Sequence, residues 1–333
     1  MYPKTYKKLI ASRLSKNFRA AVEIVTVDWI SPAPNEVVIR NLFAGVNASD
    51  VNITAGVHFV NTPPPFALGV EAVGDVVAVG SNVKHLQVGD HVITAVLGGG
   101  YCEYLTIDAS LAIPVVLATP EVMTIVVSGL TAAIGLEVVG EIKTGEVVLV
   151  TAAAGGTGHC AVQLAKQAGA HVIGTCRSQA KVKFLQQLGC DRAINYCEEN
   201  LAQVLKTEYP QGVDLVYECV GRELFDICVE NLAVRGRLVS VGYISEYTSE
   251  LELTSSERIY SKLLWKSASI RGFLFSHYGE YIQLHTSRLM ELFAVGKLRP
   301  IVDSREFRGI ESVVDAVEYL HSGSNCGKVV VRF

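Results

Sequence analysis

Two textures of hydrophobic and polar positions divide this chain. From Lys7 to Val122, short β-branched runs are broken by turns. NEVVIRNLFAGV (35–46) alternates as a pair of strands does, and GVEAVGDVVAVG (69–80) and VGDHVITAV (88–96) are punctuated by glycine. This stretch predicts a mainly β domain. From Glu121 the texture changes. VMTIVVSGLTAAIGLEVV (122–139) has helical apolar spacing, and a regular alternation follows. Strands are predicted at 147–152, 170–176, 192–196, 213–220, 236–243 and 268–273. Helices are predicted between them, at 159–169, 179–189, about 199–207, 222–232 and 256–265. Six strands alternating with helices predict an α/β fold with a doubly wound parallel sheet. The remaining residues hold one good helix (278–296) and end in a strand, GKVVVRF. That tail is expected to return to the first domain. The expected division is therefore 1–122 with 272–333 for the β-rich domain, and 123–271 for the inserted sheet domain.

Composition narrows the classes. The chain has 333 residues, enough for about two domains. Half are hydrophobic and 19% are charged, which excludes a disordered chain. The net charge is −4 with no basic block, so nucleic acid is not an expected partner. Eight cysteines are scattered without a C-x-x-C pair, which points to free thiols in a reducing compartment. A mean hydropathy of +0.32 raises the question of a membrane span. Of two long uncharged runs, 51–70 contains Pro63, Pro64 and Pro65. The other, 147–165, carries Gly155, Gly156 and Gly158 and reads as strand, glycine turn and helix. No membrane span is expected. The N-terminus lacks a secretory apolar region, and the C-terminus is no peroxisomal tripeptide. A cytoplasmic protein is expected, or a peroxisomal one if a C-terminal signal has been trimmed.

TAAAGGTG (151–158) carries the strongest chemical signal. It follows a buried strand and opens a helix, where small residues let the backbone approach a pyrophosphate. Gly155, Gly156, Thr157 and Gly158 are the candidate phosphate contacts. An NAD-binding sheet places an acid at the end of its second strand. Here that strand ends Thr175, Cys176, Arg177, Ser178, with Lys181 close behind and no acid. Arg177 and Lys181 suit a 2′-phosphate, so the expected cofactor is NADPH.

GVNASD (45–50), GVEAVGDVVAVG, VGDHV (88–92), SGLTA (128–132) and AAAGGTG (152–158) occur in an order and spacing that resemble the medium-chain dehydrogenase/reductase superfamily, over nearly the whole chain. The resemblance implies a Rossmann sheet inserted into a GroES-like catalytic domain. Zinc members hold their catalytic metal with a Cys in the first of these segments and a His-Glu pair in the second. Here Asn47 stands in place of the Cys, and Val70 precedes Glu71. The four-cysteine structural zinc lobe is also missing, with only Cys102 nearby. An open zinc site needs about three protein ligands. The chain therefore resembles the zinc-free reductases of the quinone, enoyl and prostaglandin types.

That resemblance implies NADPH-dependent reduction of an enone, such as a 15-keto-prostaglandin, by hydride transfer to the β carbon. The reaction needs a donor for the developing enolate oxygen. Candidates are Tyr247 of GYISEY, placed first by the resemblance, then Asn47 and the cofactor ribose. Asp50 is expected to be a turn or cap residue. The implied cofactor contacts further include Ser178, Tyr196, Cys219, Val241, Phe273, Leu274, Phe275 and Asn325. The aromatic segments 58–66 and 274–282 are candidate pocket linings for a lipid-derived enone, with His58 and His277 as possible carboxylate contacts. Two other readings stand beside this one. One is a quinone or alkenal reductase with the same cofactor. The other is a crystallin-like structural protein that binds a nucleotide. The resemblance also implies a homodimer joined through the sixth strand.

Overall fold

A computed structural model describes residues 3–57, 63–249 and 258–333. The chain forms two compact units, Met1–Val127 with Val302–Phe333, and Ser128–Ile301.

In the first unit the long strand Glu36–Gly45 is central. Ala72–Val79 pairs with it antiparallel along one edge. The other edge is shared. Tyr104–Asp108 pairs with Glu36–Arg40, and the C-terminal strand Val330–Arg332 pairs with Phe43–Gly45. His91–Thr94 and Ala112–Val115 extend this seven-stranded sheet on one side and Phe307–Arg308 on the other. Alternate residues Val37, Ile39, Val76, Val92 and Ile107 close a core on one face. The expected return of the tail is thus observed as a paired strand. The helix Val313–His321 was not expected. It buries Val313, Ala316 and Val317, the three-four spacing of a helix too short to stand out in sequence.

The second unit holds a six-stranded parallel sheet. Numbered along the chain, its strands are Val147–Val150, His171–Cys176, Arg192–Asn195, Val213–Glu218, Leu232–Ser240 and Ser269–Gly272. Their spatial order is 3-2-1-4-5-6. This is the dinucleotide-binding order, with a switch point between strands one and four. Leu149, Ile173, Ile194, Val216 and Leu238 supply one core residue from each of five strands. Helices cover both faces, so these strands read as continuous apolar runs. Strand five begins at Leu232, where the sequence predicted the end of a helix. Asn231 ends that helix and its carbonyl accepts from Val213 N at 2.9 Å, which starts the strand pairing early.

The second unit extends to Ile301, whereas the sequence placed a boundary at 271. The helix Gly279–Ala294 packs against Leu130–Ile134, and its Arg288 pairs with Glu137. Pro120–Val139 forms one helix with two π-type turns, at 125–129 and 135–139. Its mean hydropathy is 2.0 over a length that could cross a membrane, but 78% of that stretch is buried. Packing against the fold accounts for its apolarity. Gly135 permits one such contact, because a Cβ there would lie 2.7 Å from the Tyr217 ring.

Candidate active site

The first strand of the parallel sheet delivers the glycine loop to the switch point. Gly158 has no alternative there. A Cβ would meet Ala152 O at 2.3 Å and Ala153 Cα at 2.8 Å. Gly155 is less constrained, since a Cβ there would lie 3.2 Å from Ala152 O, a close contact that a small shift relieves. Thr157 precedes the helix Gly158–Gln167 without capping it through its side chain. A close-packed glycine turn opening on an uncapped helix start fits a pyrophosphate, whose oxygens accept from backbone N–H groups.

The ends of strands two and three lie side by side, with Cys176 paired to Asn195 and Tyr196 N bonded to Cys176 O at 3.1 Å. Arg177, Ser178, Lys181 and Tyr196 therefore belong to one corner. Ser178 has a second duty. Its Oγ accepts from Lys181 N at 3.4 Å and caps the helix Gln179–Gln187. Arg177 is exposed, and burial pushes the Tyr196 hydroxyl up to about 12, so it stays a donor. The end of strand two has two cations and no carboxylate, the character a 2′-phosphate needs, while Glu198 beyond strand three accepts from Gln179 Nε2 at 2.9 Å.

At the switch point stands a residue that sequence reading missed. Glu218 ends strand four and is fully buried. Its Oε1 accepts from Val220 N at 2.7 Å, Gly221 N at 3.0 Å and Thr151 Oγ1 at 3.3 Å. Oε2 has no hydrogen-bond partner among the described residues. Burial pushes this carboxyl up, against the pull of the two backbone N–H groups. Thr151 Oγ1 also accepts from Cys219 N at 2.8 Å, tying strand one to strand four. An acid closing the run LVYE (215–218) at the end of its strand was the available signal.

The loop that Glu218 shapes carries the next one. Ile244 N donates to Cys219 O at 3.2 Å, and Ser245 Oγ donates to Val220 O at 2.6 Å. This sets Tyr247, which is 9% exposed. Its Oη accepts from Tyr243 N at 3.2 Å, and its ring meets Tyr243 edge-on at 4.7 Å. A side chain at position 242 would put a Cβ 2.8 Å from that hydroxyl. Burial pushes the phenol up to about 12. Val241 sits at the end of strand five, half-buried, its N–H bonded to Glu218 O. Phe273 packs its ring into the interior against Tyr278, 5.2 Å away, so any cofactor contact there falls to backbone groups of Phe273, Leu274 and Phe275. His277 is exposed, while His58 and the segment 58–62 lie outside the described residues.

Asn47 and Asn325 lie in the first unit. Asn325 is buried and donates to Gly327 O at 2.9 Å. Asn47 is bound on every side. Its Nδ2 donates to Glu71 Oε1 at 2.9 Å and to Gly45 O at 3.3 Å. Its Oδ1 accepts from Lys328 Nζ at 2.6 Å. Both amide protons of Asn47 are thus engaged on Glu71 and Gly45, and in this arrangement the side chain holds its loop. Lys328 also pairs with Glu71 at 2.5 Å, both residues being almost wholly buried. Asp50 accepts from Tyr101 Oη at 2.6 Å and from Asn47 N at 2.9 Å. Its backbone N–H bonds to Asn47 O at 3.1 Å, so the expected turn role is observed in a buried setting. This donor set does not fit zinc. An ammonium stands on the Glu71 carboxylate, an amide replaces a thiolate, and no cluster of three His, Cys, Asp or Glu able to hold a metal occurs among the described residues.

Comparison with known proteins agrees with this geometry. Residues 33–117 match the alcohol dehydrogenase GroES-like domain and residues 156–290 match the family described as zinc-binding dehydrogenase. Prostaglandin reductase-3 of Mus musculus is 46% identical over 99% of this chain and 90% of its own length. A probable quinone oxidoreductase of Leishmania amazonensis is 43% identical over 99% of this chain and 98% of its own length. The crystal structure of Escherichia coli quinone oxidoreductase complexed with NADPH superposes with a TM-score of 0.84 at 27% identity. It covers 98% of this chain and 100% of that one. Together with the Rossmann strand order and the glycine loop, these matches establish that the chain belongs to the medium-chain dehydrogenase/reductase superfamily.

Proposed function

We propose that this protein reduces the C=C bond of a 15-keto-prostaglandin or a related α,β-unsaturated ketone, with NADPH as hydride source. The coarser statement is that it is an NADPH-dependent oxidoreductase acting on C=C bonds. The observation that carries the finer one is Tyr247, a buried phenol held protonated beside the ends of strands four and five. When bound, NADPH supplies a hydride. Gly155 to Gly158 hold the pyrophosphate, and Arg177, Lys181 and Tyr196 hold the 2′-phosphate and ribose. Charge develops on the substrate carbonyl oxygen as the β carbon gains hydride. Tyr247 hydrogen-bonds that oxygen through its O–H, the Tyr243 N–H bond keeps the phenol oriented, and the enolate then collapses to the saturated ketone by taking a proton from solvent at its α carbon. Lys328, Glu71 and Asn47 shape the loop 45–50 and take no part in the chemistry. Support comes from the relative named a prostaglandin reductase and from the acid-free strand end at Arg177.

The relative named a quinone oxidoreductase supports a second reading, in which a quinone is the acceptor. NADPH oxidation with 15-keto-prostaglandin E2, a simple quinone and a short alkenal separates the two. Turnover with the prostaglandin is expected. Turnover with the quinone alone would overturn the enone assignment, and no turnover with any acceptor would favour a structural role.

We also propose a homodimer. Among the described residues Ser269–Gly272 pairs on one side only, and Arg271 in it is drawn back onto Val139 O and Glu141. Beside it, Tyr260, Leu264 and Trp265 are 67%, 68% and 85% exposed, an apolar surface suited to a second copy. Light scattering is expected to give twice the chain mass, and Trp265→Glu to lower it.

A further inference from the structure

We propose that His159 is a positioning residue for the cofactor loop, acting through the carbonyl of Gly155. The inference rests on reading 155–158 as the pyrophosphate loop. His159 lies in the first turn of the helix Gly158–Gln167 and is fully buried. The N–H of Ile301 donates to its Nε2 at 2.9 Å. A backbone amide can only donate, so Nε2 carries the lone pair and the ring proton is on Nδ1. Nδ1–H then donates to Gly155 O at 2.9 Å. Cys160 Sγ, 3.6 Å from Nε2, adds only a weak thiol donor on the same side. The ring must be neutral to make both bonds, and a protein backbone group selects its tautomer.

Gly155 O also accepts from His159 N at 3.1 Å, so two donors of one residue hold this carbonyl toward the helix. The peptide 155–156 is planar and trans, which sends the Gly156 N–H to the opposite side. His159 thereby fixes the aim of a loop N–H toward the side an anion must approach. Without the ring, only the His159 backbone N–H still holds this carbonyl, so the glycine-rich peptide is less firmly aimed and ordering it would be charged against cofactor binding. Gln163, one turn on, grips the same returning segment independently. Its Nε2 donates to Arg299 O at 3.0 Å and its Oε1 accepts from Arg299 N at 2.9 Å. Removing the imidazole should therefore leave the segment anchored.

The test compares NADPH with adenosine 2′-monophosphate, which has the 2′-phosphate but no pyrophosphate, by calorimetry or fluorescence. His159→Phe is expected to weaken NADPH binding about tenfold and to leave the adenosine 2′-monophosphate Kd within about twofold. Unchanged NADPH affinity, or an equal loss for both ligands, would overturn the proposal. His159→Asn places an amide N–H near the position of Nδ1 and is expected to recover most of the affinity, and failure to do so overturns it as well. Should His159→Phe not fold, nitrogen NMR of the unmodified protein still decides. The neutral Nδ1–H form is expected, and a charged or Nε2–H ring refutes the mechanism. Gly156→Ala probes the underlying reading. If it leaves NADPH affinity unchanged, the loop assignment fails. If it weakens NADPH while His159→Phe does not, the loop stands and the role of His159 falls.

Discussion

Lys328 and Asn47 are 281 residues apart in sequence, yet the Lys328 ammonium bonds to Asn47 Oδ1 at 2.6 Å. The antiparallel pairing of Val330 with Gly45 brings them together, because the same register continued two residues puts position 328 opposite position 47. The ammonium then reaches Glu71, which follows from the pairing of Ala72 with Ala44 on the other edge of the strand.

Breaking such a buried pair from one side leaves an uncompensated charge. Lys328→Met is expected to destabilise the protein by about 3–5 kcal/mol, measured by urea unfolding. The double variant Lys328→Met with Glu71→Leu is expected to recover much of that loss. Equal stability of single and double variants would show that the pair contributes through packing alone.

Tyr247→Phe removes one donor and little volume. A fall in kcat of about 10²-fold or more is expected, with the Kd for NADPH nearly unchanged. Because burial pushes this phenol up to about 12, the rate should show no alkaline loss from Tyr247 ionisation across the neutral range. A kcat within a few-fold of wild type would assign Tyr247 to packing against Tyr243.

Cofactor preference should rest on the corner at the end of strand two. Arg177→Ala is expected to lower the NADPH-to-NADH ratio of kcat/KM by about tenfold or more, the worth of a charge-assisted bond. An unchanged ratio would move 2′-phosphate recognition away from Arg177.

Asp50 makes a pH-dependent contribution. Burial pushes its carboxyl up to about 6, more than the Tyr101 hydroxyl and Asn47 N–H pull it down. A raised carboxyl favours the folded state when protonated, so its penalty is absent below the unfolded value of about 4 and complete above about 6. Asp50→Asn can still accept both bonds. Its stability relative to wild type should rise by up to about 3 kcal/mol between pH 4 and pH 7. A pH-independent difference would show that Asp50 titrates alike in the folded and unfolded chain.

Local pattern determined a great deal. The alternation from Val147 to Gly272 specified a parallel sheet, because strands buried on both faces must be continuously apolar and their crossovers must be helices. The small residues of 151–158 specified a close strand–helix turn, and the structure leaves no room for a Cβ at Gly158. Arg177 without an acid beside it was legible for the same reason, since neighbours in sequence occupy one strand end. Relations between distant residues were not legible. That Asn47 spends its amide on Glu71 and Lys328, that Glu218 turns inward to build the loop carrying Tyr247, and that Gln163 and His159 keep residues 299–301 with the sheet unit were decided by register and packing. A side chain's bonding capacity is written in its chemistry, but which partners claim it depends on what the folded chain brings within 3 Å or so.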